Sequence, residues 1–507
     1  MAEAFTQEDV ALLTPYVTDV DKPIYALKNL PEEVVAVLFA YYSRSRGSLR
    51  HHLLKLITEQ DVDLAGRLRA SSLDETELTA AKDKARQFHE KWVVGYGHAS
   101  VAEHAVVHLA VEDVSIIAAK LIEETRLASY TEKSTRYVLF DEDKFYRIPA
   151  LLHSPYTRLY ADTVRLLLKT YLTLVPQVVD CIKARTPRRP TQSERAYAAA
   201  CHAKAYDLLR YLLPASTLTN LGLTINARAL EHLLSKLLSH PLEEARHIGT
   251  AVKMEAEKVV PTLLKYAEYN SYVAETDLAM RRLGEELCGA AEPLETPAVS
   301  LVQFPADAEA QLAAAILYGY TGAAWGQVVE RVAQLGDEAR QRIIDEYLRR
   351  RGPHDQPLRA LEHLYYTFDI VLDYGAFRDI QRHRMATQTR QECSTRYGYS
   401  MPEELVAYGY GEVFRTCMEQ AAAAYSRLAE SCPLEAPYVL PLAYRMRVLF
   451  TWNLRELFHF IQLRSAKQGH FSYRRIAQQV YGEIARVHPA LARYIRVDLG
   501  DYQLGRL

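Results

Sequence analysis

The chain has 507 residues, of which 49% are hydrophobic and 24% are charged. This is the composition of a globular protein, and the length exceeds that of an ordinary single domain, so we expect at least two domains. The formal net charge of −2 at pH 7 gives no general attraction for nucleic acid and no acidic excess typical of disorder, so neither class is favoured.

Cysteine usage and the lack of long apolar runs indicate a cytoplasmic protein. The six cysteines are scattered without a Cys-x-x-Cys pair, which favours reduced thiols over disulfides or a zinc site. Met1–Lys22 has five acidic residues and no long apolar run, so we do not expect a signal peptide. No stretch of about eighteen apolar residues occurs, and no His, Asp and Glu share metal-ligand spacing, so we expect neither a membrane span nor a metal.

The predicted elements alternate between short strands and long helical segments. Ala105–Val111 is a β-branched run of the length of a buried strand. Glu309–Tyr318 and Gln341–Arg351 have helical periodicity. Tyr365–Leu372 is a second strand-like run, rich in aromatic residues. We therefore predict an α+β fold, helix-rich with a small antiparallel sheet in each half.

The same motifs occur twice along the chain, in the same order. The matched pairs are Glu103-His104 with Glu362-His363, Ser134-Thr135-Arg136-Tyr137 with Ser394-Thr395-Arg396-Tyr397, Leu213-Pro214 with Leu440-Pro441, and Asn226-x-Arg228 with Asn453-x-Arg455. The two members of each later pair are separated by fewer residues than the two members of each earlier pair. The first copy therefore has a longer connection, which we expect around residues 140–190. This pattern predicts a tandem duplication.

A linker separates the two predicted copies. Cys288–Val299 is low in bulky apolar residues and holds two prolines, as is typical of a connection between domains. We divide the chain into a first copy, residues 1–290, and a second copy, residues 296–507.

The densest polar constellation lies in the second copy. It comprises Arg382, His383, Arg384, Thr387, Glu392, Ser394 and Arg396. Arginines this close together repel one another unless anions bind, and the planar guanidinium suits phosphates and carboxylates. A solvated basic face is the alternative, but the hydroxyls and the glutamate favour specific polar recognition.

This segment resembles the signature of the flavin-dependent thymidylate synthases. That signature runs Arg-His-Arg, two residues, Ser, one residue, Asn, two residues, Ser, one residue, Arg. Arg382-His383-Arg384, Ser394 and Arg396 look like it with two extra residues, which we place within Gln388–Gln391. Leu440-Pro441 and the segment from Asn453 through His459 to Arg464 resemble the helix that helps to hold the flavin in that family.

The first copy is similar to the family in complementary places. His98–His104 matches the upstream His-x-Ser-x-x-Glu-His motif, and Arg126–Tyr137 keeps the spacing of the signature, but Glu124 and Thr125 replace its first Arg and His. Arg210 resembles the phosphate-binding arginine of the family, where the second copy has Pro437.

The resemblance implies methylation of dUMP to dTMP, with methylenetetrahydrofolate and NADPH as co-substrates and FAD as cofactor. It implies no protein nucleophile, because the flavin supplies the chemistry. The family forms homotetramers, so this chain is expected to form a homodimer that mimics a tetramer, with each copy supplying what the other has lost. The expected flavin ligands are Arg382, His383, Arg384, His98, Asn453, His459 and Arg464. The expected nucleotide ligands are Arg210, Ser394, Arg396, Glu392, Ser134, Arg136 and Arg455.

Three alternatives stay open. The chain could modify another pyrimidine nucleotide, because the two extra residues lie where nucleotide contacts belong. It could bind flavin or nucleotide without catalysis, as the missing elements would favour. It could bind nucleic acid through Lys183–Arg189, against which the near-zero net charge argues.

Overall fold

The computed structural model describes residues 5–42, 47–58, 100–289 and 296–502. Their contacts separate into two compact units. The first unit consists of the described part of Met1–Glu112 together with Leu127–Glu132 and Asn220–Gly289. The second unit consists of Asp113–Arg126, Lys133–Thr219 and the described part of Ala290–Leu507.

The first unit combines helices with most of a three-stranded sheet of order β1-β3-β2. Its helices are α1 (Gln7–Leu13), α2 (Glu32–Tyr42), α3 (Leu49–Thr58), α7 (Ala227–Leu238), α8 (Glu243–Ala256) and α9 (Ser271–Cys288), and the strands are β1 (Val106–Ser115), β2 (Ala128–Glu132) and β3 (Leu218–Asn226). Strands β2 and β3 are antiparallel. Leu13, Leu38 and Leu53 are fully buried where α1, α2 and α3 pack together.

The second unit contains a four-stranded antiparallel sheet of order β4-β5-β7-β6. The strands are β4 (Val299–Gln303), β5 (Tyr365–Asp373), β6 (Thr387–Arg390) and β7 (Arg445–Asn453). The helices are α4 (Ile116–Ile122), α5 (Thr157–Arg185), α6 (Glu194–Leu209), α10 (Ala308–Tyr318), α11 (Trp325–Ala333), α12 (Asp337–Leu348), α13 (Tyr374–Ile380), α14 (Glu403–Ala407), α15 (Gly411–Ala429), α16 (Leu454–Ser465), α17 (Phe471–Val487) and α18 (Pro489–Ala492). Buried Trp452 stacks between Phe450 and Phe460, at ring-centroid distances of 4.6 and 5.0 Å, and links the sheet to α16.

The predicted α+β class is confirmed, and each half has its own small antiparallel sheet. Both strand-like runs form strands, as β1 and β5, and the two helical segments form α10 and α12. The Arg-His-Arg segment lies in the turn that follows α13. Among the described residues, no helix is both long and apolar enough to cross a membrane.

The strand registers show where the two copies differ in length. Ser129 pairs with Thr224 in the first copy, and Thr387 pairs with Thr451 in the second. This correspondence holds, residue by residue, to the end of both strands, so Glu132 is equivalent to Arg390. The two extra residues of the second copy therefore lie between Arg390 and Ser394. Their placement within Gln388–Gln391 was wrong, because most of that range forms β6.

The extra length of the first copy lies mainly in helices. Two bridges, between Phe145 and Thr217 and between Tyr399 and Tyr444, occupy equivalent places. Between those bridges and the Leu-Pro motifs, the first copy has helices of 29 and 16 residues, whereas the second copy has helices of 5 and 19 residues. The first copy contributes residues to both compact units. The division of the chain at residues 290 and 296 therefore stays a prediction about the sequence repeats.

Within the second unit, the two Leu-Pro motifs pair with each other. The Ala215 amide donates to the carbonyl of Leu440 over 2.8 Å, and the Leu442 amide donates to the carbonyl of Leu213 over 2.9 Å. Each bond is the counterpart of the other when equivalent residues are exchanged. Such reciprocity is the mark of a two-fold relation between two copies of one surface. The copies thus meet here as the subunits of a symmetric dimer would.

Candidate functional site

The repeated Asn-x-Arg motif begins the same helix in each copy. The Oδ1 atom of Asn226 accepts a hydrogen bond from the Ala229 amide over 2.8 Å, and that of Asn453 accepts one from the Glu456 amide over 2.9 Å. An asparagine in this position satisfies an amide that the helix leaves unpaired. Asn453, a predicted flavin ligand, therefore has a structural role through its carbonyl oxygen.

The arginine of the same motif pairs with the glutamate of the Glu-His motif. The Arg228–Glu103 ion pair is 2.5 Å long, and the Arg455–Glu362 ion pair is 2.8 Å long. Each glutamate is therefore the structural partner of an arginine in its own copy. Arg455 also donates to the carbonyl of Pro357 over 2.7 Å, so this predicted nucleotide ligand is engaged within the protein.

Four arginines act electrostatically on one carboxylate in the second unit. Arg136, Arg210, Arg382 and Arg464 all act on Asp379, and we refer to these four as the arginine cluster. Burial disfavours the charged form of Asp379, but the four guanidinium groups outweigh it and hold the pKa of this carboxyl well below its ordinary value. The cluster is composite, because two arginines come from each copy.

Arg210 occupies the most enclosed position of the cluster. Its side chain is 2% exposed, and Nη1 donates to Oδ2 of Asp379 over 3.0 Å. Its Nε and Nη2 atoms are buried and have no hydrogen-bond partner among the described residues. A Cβ atom placed on Gly375 would lie 3.3 Å from each of them. Two buried donors without an acceptor are costly, which indicates that an anion completes this position.

Arg136 is fully engaged by protein atoms. It forms a two-pronged ion pair with Asp207, at 2.8 and 3.1 Å, and donates to the hydroxyl of Tyr473 over 2.8 Å and to the carbonyl of Gln468 over 3.2 Å. Burial disfavours its charge, yet Asp207 and Tyr473 raise the pKa of Arg136. Arg136 therefore contributes charge and rigidity to the cluster.

A buried polar network lies next to Arg210. The hydroxyl of Tyr211 donates to Oδ2 of Asp373 over 3.0 Å, and the Ser472 hydroxyl donates to the same oxygen. Burial raises the pKa of Asp373, against the opposing effects of Arg210, Ser472 and Tyr211. Burial also raises the pKa of the Tyr211 hydroxyl well above its ordinary value. The network fixes the start of α13, because Asp373 Oδ1 accepts the Ala376 amide over 2.7 Å.

His383 connects Arg464 to Glu456. Burial, and then the charges of Arg464 and His459, hold the pKa of His383 well below its ordinary value, so the ring is neutral. Its Nε2 atom accepts from Nε of Arg464 over 2.8 Å, and Nδ1 must therefore donate to Oε1 of Glu456, 2.9 Å away. The middle residue of the Arg-His-Arg motif thus orients Arg464, whose terminal nitrogens have no hydrogen-bond partner in the described part of the chain.

His470 is a second neutral, buried histidine near the cluster. Its Nδ1 atom accepts the Ser472 amide over 3.2 Å at the start of α17, and Nε2 donates to the carbonyl of Asp207 over 3.0 Å. Burial, Arg210 and Arg136 hold the pKa of His470 well below its ordinary value. His470 therefore supports the cluster from within the core.

The other predicted site residues lie in different surroundings. Ser394 accepts the Arg396 amide over 3.3 Å, just as Ser134 accepts the Arg136 amide over 3.2 Å, so each serine orders its own turn. Arg396 and Glu392 are exposed, and the structure shows neither at the arginine cluster. The ring centroid of His459, another predicted ligand, is 5.5 Å from that of His383. Arg384 donates to the carbonyl of Arg126 over 2.7 Å. His98 lies outside the described residues.

The residues present fit an anionic cofactor such as the diphosphate of a flavin. Arg382 is exposed and Arg464 is half-buried, and the described residues offer no acceptor to the terminal nitrogens of Arg464. His459 offers a partly exposed ring beside them. By contrast, His383 and Asn453 already use polar atoms within the protein, so they fit a supporting role.

Sequence reasoning missed the carboxylates of the site. Asp207 precedes Arg210 by three residues, and Asp379 precedes Arg382 by three residues. This repeated Asp-x-x-Arg pattern was a usable signal, although the ion pairs that form are Arg136–Asp207 and Arg210–Asp379. Across the described residues, no three His, Cys, Asp or Glu side chains are placed to hold a metal ion.

Comparison with known proteins agrees with the duplication. Residues 53–262 and 300–490 each match the family described as thymidylate synthase complementing protein, Thy1. A UPF0159 protein of Chlamydia muridarum is 38% identical over 524 residues, covering 99% of this chain and 97% of that protein. A UPF0159 protein of Thermoplasma acidophilum is 30% identical over 476 residues, covering 85% of this chain and 92% of the relative.

More distant relatives carry the name of an enzyme. The flavin-dependent thymidylate synthase of Sulfurisphaera tokodaii is 31% identical over 146 residues, which cover 27% of this chain and 56% of that protein. These matches indicate a role related to thymidylate synthesis. The chain belongs to the family of thymidylate synthase complementing proteins, the flavin-dependent thymidylate synthases, and carries two diverged copies of the family's domain in one polypeptide.

Proposed function

We propose that this protein is a flavin-dependent thymidylate synthase that converts dUMP to dTMP. Methylenetetrahydrofolate would donate the methylene carbon, and NADPH would donate the hydride that reduces it to a methyl group, leaving tetrahydrofolate and NADP⁺. The observation that supports this most directly is the enclosed guanidinium of Arg210, with two buried donors that lack an acceptor, inside a cluster drawn from both copies.

The charge of the site suits the phosphate of a nucleotide. Four arginines face the carboxylates of Asp207 and Asp379, which leaves two positive charges, or one where Asp373 is also ionised. A phosphate monoester carries a charge of about −1.5 to −2 at pH 7, so it would neutralise this excess. Arg210 would bind the phosphate oxygens, and Arg136 and Ser134 would define the wall beside them.

The flavin would lie against the second copy's part of the cluster and would supply hydride transfer when bound. Arg382, Arg384 and Arg464 would bind its diphosphate as charged donors. His459 would contact its ring system. His383 would hold Arg464 in place through the 2.8 Å bond to Nε.

The remaining ligands belong to the same proposal. His98 would contact the flavin, Asn453 would support its pocket, and Glu392, Ser394 and Arg396 would contact nucleotide, in this chain or across a dimer. Two chains would associate so that their four copies mimic a tetramer. Arg455 would act by fixing the segment around Glu362, because its Nε and Nη1 donors bind Pro357 and Glu362.

The test is formation of dTMP by purified protein supplied with FAD, NADPH, methylenetetrahydrofolate and dUMP. Arg382→Ala should lower the turnover roughly 10- to 100-fold, the effect of losing one or two hydrogen bonds to a charged group. Arg427→Ala is the matched control, because Arg427 is an exposed arginine on α15 that is not part of the arginine cluster. A wild-type protein that binds FAD and dUMP but forms no dTMP would contradict the proposal.

Two specific observations favour second candidates. Asp207 and Asp379 already neutralise part of the cluster, which would suit a protein that binds flavin or nucleotide without turnover. The two residues inserted between Arg390 and Ser394 would suit a changed pyrimidine substrate. Assays with dCMP and dTMP in place of dUMP distinguish these cases, since only a changed substrate gives turnover with another nucleotide.

A further inference from the structure

We propose that each chain forms one flavin–nucleotide site and that the second, equivalent position of the duplicated fold cannot form one. This inference rests on the proposed function. It adds the number of sites per chain and says which copy supplies which residues of the site. The starting point is the reciprocal pairing of Leu213–Ala215 with Leu440–Leu442. A two-fold relation of this kind generates two equivalent positions for every site that the copies share.

Three of the four cluster arginines have no basic counterpart at the second position. Arg210 is equivalent to Pro437, Arg382 to Glu124 and Arg464 to Leu237, whereas Arg136 alone keeps its arginine, as Arg396. The second position therefore has three fewer guanidinium groups with which to attract a phosphate.

The supporting residues have been lost together with the arginines. The cluster carboxylates Asp207 and Asp379 correspond to Leu434 and Leu121, and the His383–Glu456 pair corresponds to Thr125 and Ala229. Leu121, the counterpart of Asp379, is 4% exposed. Buried leucines offer no hydrogen bond to an anion, and desolvating a charge beside them is unfavourable.

A negative charge stands where the first arginine of the motif would be. Glu124 forms an ion pair with Arg390, and the two side chains are 22% and 31% exposed. Arg390 is itself equivalent to Glu132. The ion pair occupies this part of the second position with protein groups that satisfy each other, so an added phosphate would be repelled by the glutamate.

Each copy therefore has one role in the single site. The first copy supplies Arg136, Arg210 and Asp207, and the second copy supplies Arg382, Arg464 and Asp379. This division explains why the site needs both copies. Neither copy alone carries both sides.

The experiment counts ligands on the full-length protein. Equilibrium dialysis with radiolabelled dUMP gives nucleotide per chain, and absorbance after denaturation gives flavin per chain for protein saturated with FAD. We expect one of each. Arg382→Ala should reduce dUMP and FAD binding at least tenfold although its exposed position leaves the fold intact, and Arg427→Ala should leave both counts at one.

The outcomes separate this inference from the proposed function. Two molecules of dUMP or FAD per chain would overturn the single site while leaving the synthase function standing. One inorganic phosphate per chain that is lost in Arg210→Ala, without dUMP binding, would support a single anion site and contradict the synthase. Binding of no anion and no flavin would overturn both.

Discussion

Replacing Asp379 by asparagine isolates the role of the carboxylate at the centre of the arginine cluster. Arg210 is 2% exposed, and its hydrogen bond to Asp379 is the one that its side chain makes among the described residues. Breaking a buried ion pair by removing one partner costs about 3–5 kcal/mol. Because asparagine keeps an oxygen that can accept the bond from Nη1, we expect a loss near the lower end, about 3 kcal/mol.

The same substitution should strengthen nucleotide binding. Asp379 repels the phosphate that the cluster attracts, and removing one charge at this range changes the interaction by about 1–2 kcal/mol at intermediate dielectric constants. We therefore expect Asp379→Asn to bind dUMP roughly 5- to 30-fold more tightly. Stability and affinity would change in opposite directions, and dUMP would restore more stability to the variant than to the wild type.

The assay is urea-induced unfolding with and without dUMP, together with calorimetric titration. Buried Trp452 makes tryptophan fluorescence sensitive to the second unit. Asp369→Asn is a matched control, because Asp369 pairs with Arg447 on the sheet with side chains that are about a fifth exposed. It should cost about 1 kcal/mol or less, without rescue by dUMP. If Asp379→Asn is as stable as the wild type, or binds dUMP more weakly, the electrostatic account of the cluster is wrong.

Three further predictions follow from the geometry of the site. Gly375→Ala places a methyl group 3.3 Å from Nε and Nη2 of Arg210. Calorimetry should then show a dUMP affinity about tenfold lower, while circular dichroism shows unchanged helix content. An unchanged affinity would show that Arg210 does not bind the phosphate. His383 and His470 have lowered pKa values in the folded protein, so below pH 6.5 the unfolded chain binds more protons than the folded one. The free energy of unfolding should therefore be unaffected by these histidines above pH 6.5 and fall by up to about 3 kcal/mol per pH unit below it. Urea titrations at pH 7 and 5.5 measure this fall, and equal stabilities at the two pH values would refute it. Glu456→Gln keeps an oxygen that accepts from Nδ1 of His383, so the affinity for FAD should fall less than threefold. Glu456→Ala removes that oxygen and should lower the affinity more. Equal losses in fluorescence titrations would show that this hydrogen bond does not orient the flavin site.

The sequence predicted the class of the fold because periodicity is a local property. The strands at Ala105–Val111 and Tyr365–Leu372 and the helix at Glu309–Tyr318 were all visible as patterns of side chains. The duplication was visible for the same reason, since the repeated motifs keep their order. The position of the two-residue insertion was not visible, because it depends on strand pairing, which only the registers at β2 and β6 reveal.

The partners within the site could not be predicted from local patterns. Arg136 pairs with Asp207 across 71 residues of sequence, and Arg210 pairs with Asp379 across 169 residues. An aspartate three residues before an arginine on a helix usually forms a local surface pair. Here each aspartate instead meets an arginine from elsewhere in the chain, which depends on how the two copies pack.

The repeated motifs also served two purposes that the sequence alone did not separate. The Asn-x-Arg motif caps a helix and anchors the Glu-His motif in both copies. The arginines that differ between the copies, Arg210 and Arg382, are those placed at the cluster. The Asn-x-Arg and Glu-His motifs, which hold the fold, have been kept twice, whereas Arg210 and Arg382, which are proposed for binding, have each been kept once.

The visible absorbance spectrum of the purified protein, before and after adding NADPH and dUMP without oxygen, tests the central claim most directly. The account predicts a bound-flavin spectrum of one flavin per chain that bleaches when both are present and reappears with air. A colourless protein that takes up no added FAD would contradict it. So would bound flavin that neither NADPH nor dUMP affects.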